Sequence, residues 1–440
     1  MKISGWGKYP CIDAVTRAPR SLPELIDCLQ HRHAIARGNG RAYGDSAISA
    51  TNTIEMKHFD RIHAFDPSTG QLIAEAGVLL ADVLTAFGPK GWFPRVTPGT
   101  KFVTLGGMVA SDVHGKNHHK EGSFSRCIDW LEVITGTGEL VRCSRTENSA
   151  LFNWTVGGMG LTGIIFKIAF RLRPIESSWI KQTTLVAQNL EQAFEAFERS
   201  MDATYSVAWI DCLAKGKNLG RSLVTLGEHA APRDLPKRAR HSPLQFLRKT
   251  RLTIPFDFPS FVLNKYFVQA FNALYFWLGA LKPHTALVNW ESYFYPLDRI
   301  QHWNKIYGRK GFAQFQCVIP LDRSFEGMSA LLNAISESGS GSFLAVLKRF
   351  GEQSNGLSFP MSGYTLALDF PISDKTLALM TDLDAITMAH GGRFYLAKDS
   401  RMSAETFNAT EPRREAFLQF VSDTEGKRIF SSEQAKRLGL

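Results

Sequence analysis

The chain has 440 residues, too many for one hydrophobic core, so two domains are expected. At 44% hydrophobic and 21% charged it is neither a disordered nor a fibrous chain. The net charge of +10 attracts polyanions or an anionic membrane surface, or is simply a solvated basic surface.

Cys11, Cys28, Cys127, Cys143, Cys212 and Cys317 form no C-x-x-C pair and no zinc spacing, which fits reduced thiols in a cytoplasmic protein. Behind Lys2 there is no apolar signal core. The longest apolar stretch, 261–281, is interrupted by Asn264, Lys265, Gln269 and Asn272. It falls short of the roughly 20 apolar residues a membrane span needs and reads as an amphipathic surface segment or a core helix.

In chain order, Ser21 with Glu24 and Pro23 predicts a capped helix through Leu29, followed by a short strand at 33–36. A glycine-rich turn follows, Arg37-Gly38-Asn39-Gly40-Arg41-Ala42-Tyr43-Gly44-Asp45. Residues 72–78 predict a strand, 81–87 a short helix closed by Gly88, and 98–107 a second glycine-rich segment. Residues 130–143 predict a hairpin around Gly136-Thr137-Gly138. The third glycine-rich run, 157–163, leads into a half-buried strand with Ile164, Phe166, Ile168, Phe170 and Leu172 on one face. Lys167, Arg171 and Arg173 take the other face, and Pro174 ends the strand.

The first domain is therefore placed at 1–174, a substrate domain at 175–392, and a return to the first domain at 393–440. The substrate domain reads as an antiparallel sheet covered by helices. Its segment 229–260 carries Arg233, Lys237, Arg238, Arg240, Arg248, Lys249 and Arg251 among Phe246, Leu247, Leu252, Ile254, Phe256 and Phe258. Two readings fit: a mobile basic and apolar lid resting on anionic membrane, or a surface loop with a few buried anchors.

Three glycine-rich turns within 165 residues suit loops that approach a ligand closely and offer backbone N–H groups to phosphates. Gly38-Asn39-Gly40-Arg41 does not fit the nicotinamide fingerprint, because no long helix follows it. The turn instead resembles the pyrophosphate loop of the vanillyl-alcohol-oxidase class of FAD enzymes. Pro98-Gly99-Thr100 with Val103-Thr104-Leu105-Gly106-Gly107 is similar to the second FAD loop of that class, and Gly157-Gly158-Met159-Gly160-Leu161-Thr162-Gly163-Ile164 to the third. Asp112-Val113-His114-Gly115-Lys116-Asn117-His118-His119, Ala208-Trp209-Ile210-Asp211, Gln314–Pro320 and Tyr395-Leu396-Ala397-Lys398-Asp399-Ser400-Arg401 resemble the decaprenylphosphoryl-β-D-ribose 2′-oxidase family within it.

The resemblance implies an α+β fold, with two small α/β subdomains clasping FAD and a separate substrate domain. It implies cofactor contacts from Arg37, Gly38, Asn39, Gly40, Arg41, Tyr43 and Gly44; from Pro98, Gly99, Thr100, Thr104, Gly106 and Gly107; from His114, Gly115 and Asn117; and from Gly160, Thr162, Gly163 and Ile164, with Tyr395 and Lys398 facing the flavin. Arg41 stands where many members of the class carry a flavin-linked histidine, which implies non-covalent FAD. Ala367 stands where the family often has cysteine, and Thr365 near its usual asparagine. That implies poor sensitivity to thiol-directed inhibitors and leaves the sugar open.

Alcohol oxidation by a flavin needs a base for the hydroxyl proton and positive charge near the developing alkoxide. Lys398 is the first candidate, as base or electrostatic stabiliser, against a surface lysine paired with Asp399. His114 would orient or polarise the flavin, against a satisfied core histidine. Tyr395 completes the catalytic candidates. Gln314 and Gln316 share one strand face and suit a sugar, opposite apolar Phe315, Cys317 and Ile319. Trp209, Lys348, Lys116 and Thr365 are further substrate candidates. His118 and His119 lack a third ligand, so no metal is expected.

The reaction this implies is oxidation of the 2′-hydroxyl of a polyprenyl-phosphoryl-β-D-ribose. A separate short-chain keto-reductase would complete epimerisation to an arabinose donor for cell-envelope glycan. The expected location is the cytoplasm or the inner face of the membrane, with the periplasm left open. The alternatives are an oxidase of a soluble alditol or aldonolactone, and a flavin-binding electron-transfer scaffold. No recognition helix or aromatic RNA motif supports nucleic-acid binding.

Overall fold

The alternation at 164–174 does form a strand, Ile164–Pro174, but its position in a sheet changes the expected burial. In the computed structural model, which describes residues 1–246, 252–259, 263–353, 355–425 and 429–440, this strand lies between Ile128–Ile134 and Gln71–Glu75. The antiparallel sheet runs Leu140–Ser144, Ile128–Ile134, Ile164–Pro174, Gln71–Glu75, Ile62–Asp66, with Trp92–Pro94 pairing at the far end of the central strand. A central strand is covered on both faces, so Ile165 and Ala169 are buried as well. Two register shifts against Ile128–Ile134 break the strict alternation. The strand is thus largely buried rather than half-buried. Lys167, Arg171 and Arg173 hold Glu132, Asp129 and Glu121 at its margins.

A small parallel sheet orders Thr16–Arg17, Asn52–Glu55 and Ala34–Arg37. The helix before it is shorter than expected, Leu22–Asp27 followed by a tight 3-10 turn. Ser21 accepts the Glu24 N–H, but the Glu24 carboxylate takes the Arg20 N–H at 2.9 Å, outside the reciprocal capping pattern.

The second large sheet has eight antiparallel strands in the order Thr285–Asn289, Trp179–Ala187, Ser222–His229, Tyr205–Ile210, Ala345–Phe350, Gly363–Pro371, Phe312–Pro320, Arg393–Phe394. Leu190–Glu198, Ser324–Ser338 and Asp374–Ala389 bury their apolar stripes on one face, around Phe315, Cys317, Ile319, Leu347, Leu366 and Leu368. The mixed α+β character follows from these two sheets and their helical cover.

The basic segment is only partly a free loop. Leu244 and Phe246 pack against the first core, with Phe246 4.9 Å from the Trp290 ring. Leu252–Thr253 pairs in parallel with Ile300–Gln301. Leu247, Arg248, Lys249 and Arg251 lie outside the described residues. The apolar stretch after it forms the helix Lys265–Ala280.

The C-terminal segment is tied back to the first sheet region. Phe430 bridges Ala34, and the Arg437 guanidinium reaches Asp45 at 2.8 Å and Asp399 at 2.9 Å. Both carboxylates are buried, so losing the cation strands two charges. Arg437→Met is expected to lower stability by about 3 kcal/mol, read as a fall in the urea unfolding midpoint.

Candidate active site

The first two glycine-rich loops are built in contact. A Cβ on Gly38 would lie 2.1 Å from Thr104 Oγ1. That hydroxyl caps the helix Leu105–Ala110 by accepting the Gly107 N–H at 3.2 Å. Lys101 anchors the second loop: its ammonium pairs with Glu291 and its N–H donates to Asp298 at 2.9 Å. In the third loop Gly160 has φ +80°, a left-handed conformation that a side chain would strain.

The C-terminal return closes onto the first loop, with the Tyr43 N–H donating to the Ala397 carbonyl at 3.0 Å. The Lys398 ammonium then sits over the Tyr43 ring, 3.7 Å from its centroid.

These parts enclose a cavity of about 530 Å³, the size of a ligand pocket. Gly38, Asn39, Gly40, Arg41 and Tyr43 line one wall; Pro98, Gly99, Thr100, Thr104, Gly106 and Gly107 line another; Gly160 and Gly163 join them. His114, Tyr395 and Lys398 also face the cavity.

The remaining surface is the uncovered face of the eight-stranded sheet. Its register sets Gln314 opposite Asp369, Gln316 opposite Ala367 and then Val346, and Thr365 opposite Lys348. Side chains directly opposite across strands share a face, so alternation delivers these groups to one floor. Gln314, Gln316, Val346, Lys348, Ala367 and Asp369 all line the cavity.

The floor is polar and short of compensation. Gln314 donates its amide to Asp369 Oδ1, while Asp369 Oδ2 is buried without a hydrogen-bond partner. Burial pushes the Asp369 carboxyl well above the usual carboxylate range, opposed by the Gln314 amide and the Lys398 charge. Burial pushes Lys398 well below the ordinary lysine value; Asp369 counters this and Lys348 adds to it. Lys348 itself is pushed down to about 8 by burial. His114 is driven towards its neutral form by burial, then by Lys348. Its Nε2 lies 3.2 Å from the Gln316 amide, and its Nδ1 is buried without a partner.

Several sequence candidates stand behind the walls rather than in them. Arg37 donates to the Ser4 and Ala47 carbonyls and supports the loop from below. Gly44 packs on the Asp399 carbonyl, and Gly115 on Asn117 and Thr97. Asn117 donates to the Arg95 carbonyl, Thr162 bonds to Thr155, and Ile164 belongs to an apolar core. Lys116 points to the Tyr293 carbonyl and ring, and burial lowers it to about 7. Thr365 shares the floor face but is fully covered, donating to the Cys317 carbonyl and accepting from Gln316. Trp209 is the largest departure: its indole N–H donates to the Phe343 carbonyl and its ring packs 4.7 Å from Tyr275. The Tyr395 hydroxyl donates to the Ser111 carbonyl, while its ring stacks on Phe359. His118 accepts the Gly351 N–H, and His119 bonds to the Ala203 carbonyl.

Asp369 and Trp6 are pocket residues that sequence reasoning missed. The Arg41 guanidinium lies 4.1 Å over the Trp6 ring. Asp369 had a signal: it is the one charged residue in the otherwise apolar and uncharged strand Gly363–Pro371.

A family model described as an FAD binding domain matches residues 14–144. Over its full length the chain is 35% identical to the decaprenylphosphoryl-β-D-ribose oxidase of Mycolicibacterium smegmatis, covering 97% of that protein. It is 30% identical over 80% of its length to an uncharacterized protein of Streptomyces coelicolor, again covering 97%. It is 25% identical over 40% of its length to the L-gulonolactone oxidase of Bos taurus, covering 41%.

The residues present fit an FAD. Two glycine-rich loops meet along the cavity, and a Cβ on the cavity-lining Gly99 would meet no protein atom within 4 Å, so the wall there faces open space. Gly99→Val is therefore expected to leave the melting temperature of the flavin-stripped protein unchanged while weakening FAD binding at least tenfold, measured by fluorescence titration. Gly38→Ala, which collides with Thr104, is expected to lower both.

Proposed function

The chain belongs to the family of FAD-binding oxidoreductases that includes decaprenylphosphoryl-β-D-ribose oxidase, and from that premise we propose that it oxidises the 2′-hydroxyl of a polyprenyl-phosphoryl-β-D-ribose to the 2′-keto sugar. A separate short-chain keto-reductase then completes epimerisation to the arabinose donor. The observation that carries the reading is the cavity-lining Lys398 within electrostatic reach of Asp369, on a floor that also presents the amides of Gln314 and Gln316.

FAD, when bound, supplies the hydride acceptor. Arg41, stacked on Trp6, offers no nucleophile for a covalent link, so the flavin is held by packing and backbone N–H groups. Gln314 and Gln316 fix the sugar hydroxyls by hydrogen bonds. Lys398, held below the ordinary lysine range by burial, takes the hydroxyl proton in its neutral form. The Asp369 carboxyl then steadies the ammonium that results. Lys348 presents positive charge to the substrate phosphate. His114 stays neutral and holds Gln316 in place, and Tyr395 acts as a stacked wall rather than an acid. The basic segment 229–260 adds positive charge suited to a phospholipid-like substrate on the membrane.

Lys398→Ala is expected to retain FAD and to lose roughly 10²–10⁴-fold in the rate of flavin reduction by polyprenyl-phosphoryl ribose. Near-normal reduction would remove Lys398 from the chemistry. A base lowered by burial also fixes the sign of the pH profile: kcat/KM is expected to rise with pH and level off well below 10.5. In Asp369→Asn a carboxylate that favours the ammonium is gone, so the inflection is expected to move to lower pH. An unmoved inflection would contradict the pairing.

A further inference from the structure

We propose that the helix Lys265–Ala280 lays its outer face on an anionic lipid bilayer. Its 16 residues include no acidic side chain, and it is about 24 Å long. Only a narrow stripe, Val268, Asn272, Phe276 and Gly279, is buried. That stripe is where the helix is anchored: Asn272 donates to Asp211 at 2.9 Å, and Asp211 is paired with Arg221 at 2.7 Å. A Cβ on Gly279 would strike Leu223, so the helix rests directly on the strand Ser222–His229.

The outer surface is more apolar than the buried one. Tyr266 is 80% exposed, Leu281 65%, Trp277 58% and Leu274 54%, with Phe267 and Leu278 between them. An aromatic and aliphatic surface of this extent on one helix marks an interaction site. No helix among the described residues is long and apolar enough to cross a membrane, so this one would lie in the interface plane.

Charge selects the occupant. Lys265 stands at one end and Lys282 at the other, on a chain of net charge +10. Tyrosine and tryptophan favour the headgroup layer, and lysines flanking them favour anionic lipid. A second copy is a poor fit: two such helices packed antiparallel about a two-fold axis would set lysine against lysine, with no acidic side chain on either helix to pair them. The inference rests on this surface alone and holds whichever sugar the cavity takes.

The test is flotation of the flavin-loaded full chain with vesicles of phosphatidylcholine alone or with about one-third phosphatidylglycerol. Binding to the anionic vesicles is expected to exceed binding to the neutral ones at least tenfold. The double substitution Leu274→Glu/Trp277→Glu is expected to return it to background with an unchanged melting temperature and monomeric elution. Should that pair perturb folding, Leu274→Ser/Trp277→Ser serves, with at least a threefold loss expected. Absence of wild-type flotation, variants that float like the wild type, or a wild-type dimer that the substitutions split would each overturn the proposal.

Discussion

Lys398 reaches the cavity because the residues on both sides of it are fastened to the first glycine-rich loop. Ala397 accepts the Tyr43 N–H, and Asp399 shares the Arg437 guanidinium with Asp45. A half-buried cation between two buried carboxylates is tolerable only when all its partners stay in place. The knot therefore fixes the lysine over the Tyr43 ring and ties the C-terminal return to the first glycine-rich loop. Asp399 is held below the ordinary carboxylate range although burial alone would raise it, because Arg437 and the N–H groups of Arg401 and Met402 outweigh burial.

Around that knot the division of labour is simple. Loops made of small residues provide close approach and N–H groups. The sheet provides directional side chains, because strand alternation sends every second residue of Phe312–Pro320 and Gly363–Pro371 to one floor. The same strands send Phe315, Cys317, Leu366 and Leu368 into the helix-covered core, so the polar floor and the apolar core stabilise the same register. Burial then sets the electrostatics of this floor, lowering Lys398 and raising Asp369.

Much of this was legible in the residues. The glycine-rich loops announced themselves because close contact and left-handed backbone require glycine, and Lys398 because it sits in a long, specific motif. The two glutamines were legible from alternation alone. Trp209 was misplaced since nothing local distinguishes an aromatic that faces a pocket from one that faces Tyr275 and Phe343. Lys116 and Thr365 are covered by their neighbours and do not line the cavity, an outcome that only tertiary packing sets. The strand Ile164–Pro174 showed the right period but not its central position, which depends on partners distant in the chain. The helix 265–280 was left between an amphipathic surface segment and a core helix because Lys265, Gln269 and Asn272 interrupt an otherwise apolar run, and only the fold reveals how little of it is covered.

The central claim is that this floor holds a lipid-linked ribose for removal of hydride at its 2′ position. Anaerobic titration of the flavin absorbance tests it most directly, using polyprenyl-phosphoryl ribose, its 2-deoxyribose counterpart and free alditols side by side. Bleaching by the ribose lipid alone is the expected result. Bleaching by the deoxy lipid, or by the free alditols, would contradict the assignment of the reacting hydroxyl or of the substrate class.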